Sequence, residues 1–169
     1  MAILPIRIYP DPVLRVRAEP ISSFDQDLAR LAENMVETMY AAPGIGLAAP
    51  QVGVSLRLAV VDLSVGKEPG ELLVLVNPRL SEPRGEEVDE EGCLSIPEFT
   101  AKVSRPLEIR VSAFDLEGTA LELEAEGMLA RAICHEVDHL DGVLFVDHLR
   151  GLRRERARRF LKKLSQEKR

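Results

Sequence analysis

The pentapeptide His135-Glu136-Val137-Asp138-His139 limits this chain more than any other stretch. Residues four apart on an α-helix stand one above the other on the same face. An HExxH run on a helix therefore offers two imidazoles to one metal ion, with the glutamate beside them as a base for water. The helix reads as Gly127 to Leu140, stopped by Asp141-Gly142. Only three histidines occur in the chain, and two of them fall in this motif. A hydrolytic centre of this kind needs a third protein ligand and one open position, so another segment must be folded against the helix.

Downstream, the long metalloprotease pattern HExxHxxGxxH would place a histidine at position 145, where this chain has Phe145. His148 and Glu155 are the remaining downstream candidates, although Glu155 lies in a basic cluster that helical ion pairing explains better. Upstream, Glu91-Gly92-Cys93-Leu94-Ser95 offers a stronger one. Its glycine permits close backbone approach, and a thiolate beside two imidazoles is a suitable soft donor for a divalent transition metal. Cys134 is adjacent to His135 and so points to another side of the helix, which suits a small buried hydrophobe.

At 169 residues the chain suits one domain spanning 1–169. It has no run of 18 apolar residues to span a membrane. Two cysteines are too few for a disulfide framework, and the first residues lack a secretory apolar region, so a cytoplasmic location is expected. Strands are expected at Ile3 to Tyr9, Leu56 to Asp62, Leu72 to Val76, Ala101 to Ser104, Leu107 to Phe114, Ala120 to Glu126 and Val143 to Val146. Phe24 to Ala42 reads as a helix opened by a Ser23/Gln26 capping box, and Glu82 to Glu91 as an exposed loop or edge strand. Helices at both ends and at the motif, with strands between, give an α+β class. The small-residue run Gly44 to Gly53 lacks the lysine of a phosphate loop, and no strand precedes it as a dinucleotide site would require.

The net charge of −6 hides an asymmetry: residues 150–169 hold ten Lys/Arg against two Glu, whereas the rest hold 12 basic and 26 acidic groups. A basic helix there, Leu152 to Leu164, suits either a polyanionic partner or a solvated face drawn to the acidic body.

Three segments in this order, Gly44-Ile45-Gly46-Leu47-Ala48-Ala49-Pro50-Gln51, Glu91-Gly92-Cys93-Leu94-Ser95 and His135-Glu136-Val137-Asp138-His139-Leu140-Asp141-Gly142, resemble the GxGLAAxQ, EGCxS and HExDHxxG motifs of the peptide deformylases. The resemblance extends to Pro10-Asp11-Pro12-Val13-Leu14-Arg15 and the first helix, essentially the whole chain. It implies a fold of mostly antiparallel strands around a central HExxH helix, with one helix before and one after. It also implies removal of the formyl group from N-formylmethionine on nascent polypeptides. By the same resemblance Cys93, His135 and His139 would hold the metal, usually Fe(II) but also Zn(II), Ni(II) or Co(II), with Glu136, Gln51 and the Leu94 N–H catalytic. Gly44, Ile45, Gly46, Gly92 and Met128 would bind substrate, and the C-terminal helix would dock on the ribosome. Arg131 and Asp89 stand where many family members carry apolar residues, and Thr100 where some bacterial members carry Arg, which implies a more polar pocket rim. Two alternatives remain from the residues alone: a small zinc endopeptidase using His148 or Glu155, and an RNA-binding module with a structural metal.

Overall fold

The first long helix, α1 (Gln26–Ala41), buries Leu28, Ala32, Met35 and Met39 along one face. Its N-cap is Asp25, whose carboxylate accepts the Leu28 N–H at 3.0 Å, rather than the expected Ser23. Asp25 stands directly before the first helical residue, so its short side chain reaches the third N–H of the helix. The structure, a computed structural model, describes residues 2–167; Lys168 and Arg169, at the end of the expected basic segment, lie outside the described residues.

The strands are β1 (Gly46–Ala48), β2 (Leu58–Val61), β3 (Leu73–Arg84), β4 (Glu87–Cys93), β5 (Ile96–Arg105), β6 (Glu108–Phe114) and β7 (Ala120–Glu126). Five form an antiparallel sheet in the order β1-β2-β3-β6-β7, while β4 and β5 make a separate two-stranded ribbon. β2 is apolar at every position and fully buried. Such a run without alternation fits a strand covered on both faces: Leu58 and Val60 pack with α1, and Val61 packs with the helix opposite.

That opposite helix is α2 (Gly127–Leu140), which carries the HExxH motif. Ala130, Ile133, Cys134 and Val137 set it against the sheet, and Leu140 packs with Ala48 and Ala59. Its C-terminal carbonyl charge is met by Arg57, which donates to the Leu140 carbonyl at 2.9 Å and to Asp141 at 2.9 Å. Gly142 then turns the chain at φ 76°, where a Cβ would lie 2.7 Å from the Arg15 carbonyl oxygen. Only glycine fits so close a crossing without strain. Last comes α3 (Gly151–Glu167), seated through Ala157, Leu164 and Phe160, whose ring lies 5.0 Å from that of Phe99.

Several expected elements differ. Ile3 to Tyr9 is extended but joins no sheet, because its amides go to scattered acceptors: Leu4 to Thr38 Oγ1, Arg7 to the Gln51 carbonyl and Tyr9 to the Ser95 carbonyl. Val143 to Val146 is not a strand. Phe145–His148 winds as a 3₁₀ turn, pinned by Asp147, which accepts the Leu144 N–H and pairs with Arg15. β3 runs on through Asn77-Pro78 to Arg84, past Val76, the expected end of that strand. The Asn77 amide bonds the Ile21 backbone in both directions, and the ladder continues across an irregularity. Glu82 to Glu91 is accordingly the end of β3 and most of β4.

Candidate metal centre

Three segments meet at the cleft between β1 and β4. α2 presents His135 and His139 from one face, their ring centroids 4.9 Å apart. The β4–β5 hairpin carries Cys93 at its tip, where a register shift between Gly92 and Cys93 re-aims the strand toward the helix. Gly92 faces Thr100 across the hairpin, and a Cβ there would lie 3.3 Å from the Thr100 methyl group. Donor atoms of Cys93, His135 and His139 all lie within 4.8 Å of one another, and Cys93 Sγ is 3.2 Å from His139 Nε2. Tetrahedral zinc-type coordination by sulfur and nitrogen separates those atoms by about 3.5 Å. The donor set therefore fits a divalent metal.

An outer partner fixes the ring orientation of His135, whereas His139 Nδ1 is buried with no hydrogen-bond partner among the described residues. His135 Nδ1 is 2.9 Å from Glu91 Oε1, which leaves Nε2 toward the cysteine. Arg105 holds that glutamate with two bonds, Nε to Oε2 at 2.7 Å and NH2 to Oε1 at 2.8 Å. Burial works against the Glu91 charge, yet the hydrogen bonds and charge of Arg105, together with His135, hold its carboxyl well below the usual carboxylate range. Arg105 also reaches Asp138 at 2.7 Å, and Asp138 is 2.7 Å from His148 Nε2. His148 thus belongs to an outer ion-pair network. Glu155 is exposed and pairs with Arg158, and Phe145 is buried against Phe99. Neither downstream candidate joins the donor set, and the endopeptidase alternative loses its third ligand.

Gln51 enters from the 3₁₀ turn Ala49–Val52 that follows β1. Its carbonyl oxygen accepts the Ala48 N–H at 3.0 Å, so its amide NH2 is turned toward Cys93 Sγ (3.6 Å) and Ser95 Oγ (3.2 Å). Glu136 is buried, and its Oε1 has no hydrogen-bond partner among the described residues. Burial pushes its carboxyl up to about 7, against the opposing pull of His135. Gly46 lies directly beneath it; a Cβ there would collide with the Glu136 carboxylate, 3.0 Å from Cδ. Cys134 points away into the apolar cluster between α2 and the sheet, and burial raises its thiol to about 11.

The cleft encloses about 370 Å³. Gly44, Ile45, Gly46, Gly92, Met128, Gln51, Leu94, Cys93, His135 and Glu136 all line it. Arg131 forms part of the wall but is only 3% exposed, its guanidinium turned into the β4–β5 ribbon. Asp89 and Thr100 do not line the cleft. Sequence reasoning missed Arg105 and the bonds of Glu91. The glutamate stood inside a motif, but nothing local ties Arg105 to it, because their meeting depends on the fold of the hairpin.

An α+β fold in which an HExxH helix and a cysteine-tipped ribbon bring two nitrogens and a sulfur together defines a class of metal-dependent hydrolases. The polypeptide deformylase family profile matches residues 3–155. The chain is 51% identical over 162 residues to a peptide deformylase of Thermodesulfovibrio yellowstonii, covering 96% of this chain and 98% of that protein. It is 52% identical over 166 residues to one from Alkalilimnicola ehrlichii, covering 97% and 92%. The crystal structure of a peptide deformylase from Legionella pneumophila superposes with a TM-score of 0.90 at 46% identity, covering 99% of this chain and 98% of that one. The chain belongs to the polypeptide deformylase family. Its reaction is accordingly the metal-dependent hydrolysis of the formyl group from nascent polypeptides.

Proposed function

We propose that Cys93, His135 and His139 hold one divalent metal, and that Glu136, Gln51 and the Leu94 N–H carry the removal of formate from an N-formylmethionyl terminus. The observation that carries this reading is a sulfur–nitrogen–nitrogen donor set whose Cys93 and His135 line a cleft together with Glu136, a buried glutamate whose Oε1 has no hydrogen-bond partner among the described residues. A bound metal supplies Lewis acidity toward water and the formyl carbonyl. Glu136 accepts a proton from water and returns it to the departing amine nitrogen, a role suited to a carboxyl near neutrality. The Gln51 amide, held by Ala48, donates an uncharged N–H toward the formyl oxygen as negative charge grows there. The Leu94 N–H, at the hairpin tip, is the second donor.

The substrate backbone lies extended along the cleft. β1 is an edge strand of the five-stranded sheet, and β4 belongs to a two-stranded ribbon, so main-chain groups at Ile45, Gly46 and Gly92 suit strand addition. Main-chain pairing tolerates varied side chains beyond the first residue. Methionine enters the apolar part formed by Ile45, Leu94 and Met128 beside Gly44. The donor set suits Fe(II), Zn(II), Ni(II) and Co(II); the family resemblance favours Fe(II) in the cell.

The chain acts as one catalytic domain in the cytoplasm, with α3 contacting ribosomal RNA phosphates through Arg153, Arg156 and their neighbours. No helix among the described residues is long and apolar enough to cross a membrane. Mass spectrometry of formyl-Met-Ala-Ser, with protein purified without oxygen, tests the chemistry. Loss of the formyl group alone, abolished by Glu136→Ala, supports the reading; an intact substrate despite full metal loading overturns it. Undiminished ribosome affinity of a chain ending at Leu149 would remove the role given to α3.

A further inference from the structure

Arg131 is a buried cation that the deformylation chemistry does not use. It stands one helical turn before His135 on the same face of α2. Its NH1 donates to Glu91 Oε2 at 2.8 Å and to the Val103 carbonyl at 2.9 Å, and its NH2 donates to the Glu87 carbonyl at 2.7 Å. Glu87 and Glu91 lie on β4 and Val103 on β5, so one guanidinium grips both strands of the ribbon and the carboxylate that orients His135. The ribbon carries Cys93 and the helix carries both histidines. The grip also leaves Arg131 Nε buried without a partner among the described residues, a cost an apolar residue would avoid. Well-packed apolar replacements of buried ion pairs are often neutral or stabilising, so stability alone explains this arginine poorly.

Resting on the ligand set proposed above, we infer that Arg131 is a positioning residue that sets the Cys93 thiolate against the two histidines. The planar fork matters because its two separated amino groups reach acceptors on both strands of the ribbon at once, a span the single nitrogen of an ammonium lacks. Arg105 still holds Glu91 and Asp138, so removal of Arg131 leaves His135 oriented but takes away the hold of α2 on the Glu87 and Val103 carbonyls of the ribbon.

The test is Co(II) titration of the metal-stripped wild type, Arg131→Met, Arg131→Gln and Cys93→Ser, followed by the thiolate-to-cobalt charge-transfer band and the visible ligand-field bands. The wild type should show both, and Cys93→Ser should lose the charge-transfer band. Folded Arg131→Met should bind Co(II) about ten- to a hundred-fold more weakly, with the charge-transfer band reduced relative to the ligand-field bands. Wild-type affinity and an unchanged spectrum in either folded Arg131 variant would overturn the proposal. If both variants fail to fold, Arg131 serves stability and the proposal also falls. A wild-type charge-transfer band absent, or untouched by Cys93→Ser, would instead remove the ligand set, and the positioning role with it.

Discussion

Arg105→Met should be among the most damaging single substitutions away from the donor atoms. The Arg105 and Glu91 side chains are each 5% exposed, and Arg105 is bonded to Glu91 twice and to Asp138 once. Methionine fills much of the same space but takes two bonds from the buried Glu91, leaving it Arg131 and His135, and leaves the partly buried Asp138 with His148. Breaking a buried pair from one side costs about 3–5 kcal/mol, because the charge left behind is under-compensated, and here Glu91 loses its two-bonded partner. At about 2–4 °C per kcal/mol for a chain of this size, the melting temperature should fall by about 6–20 °C. Thermal unfolding should be followed at pH 7 with Zn(II) at the same fixed excess for both proteins, so that metal linkage does not differ between them. Adding Glu91→Gln to Arg105→Met should recover part of the loss, since one under-compensated buried charge is then removed. Arg110→Met, which breaks an exposed pair with Glu122, is the control and should leave the midpoint nearly unchanged. A loss below about 1 kcal/mol in Arg105→Met, or two losses that simply add, would refute the account of a desolvated network.

The same carboxylate sets an acid limit. Glu91 is held below its ordinary value of 4.5 in the folded chain, so its contribution is fully present above that value and is lost as pH falls toward the folded one. Urea midpoints should therefore drop below about pH 4.5 more steeply in the wild type than in Arg105→Met; parallel curves would contradict this. Gly46→Ala should lower kcat/KM for formyl-Met-Ala-Ser about a hundred-fold with the fold retained by circular dichroism, because the new methyl group displaces the Glu136 carboxylate. Unaltered turnover would mean that the carboxylate moves aside freely. Cys134→Ser should lower stability but keep one bound metal by elemental analysis, whereas Cys93→Ser should lose it; the reverse pattern would reassign the sulfur donor.

The sequence by itself determined the parts of the centre that depend on local periodicity. His135 and His139 share a face because a helix repeats every 3.6 residues, and the observed bounds of α2, Gly127–Leu140, match those read from the chain. The strand Ala120–Glu126 was equally legible, since its alternation rests on neighbouring residues. Tertiary structure alone decided the rest. Ile3 to Tyr9 has strand-like residues yet joins no sheet, because its amides are claimed one at a time by Thr38, Gln51 and Ser95. The strand read as ending at Val76 continues through Asn77-Pro78 to Arg84, where a distant backbone at Ile21 satisfies the Asn77 amide. The placing of Cys93 against the histidines depends on contacts that span 28 to 46 residues: the sulfur–imidazole approach itself, Glu91 to His135, and Arg131 to the ribbon. No local pattern encodes those distances, because burial in a shared interior creates the demand for each partner. Folding brings a carboxylate, two guanidiniums and an imidazole into a dry site, where each charge has to be answered by the others.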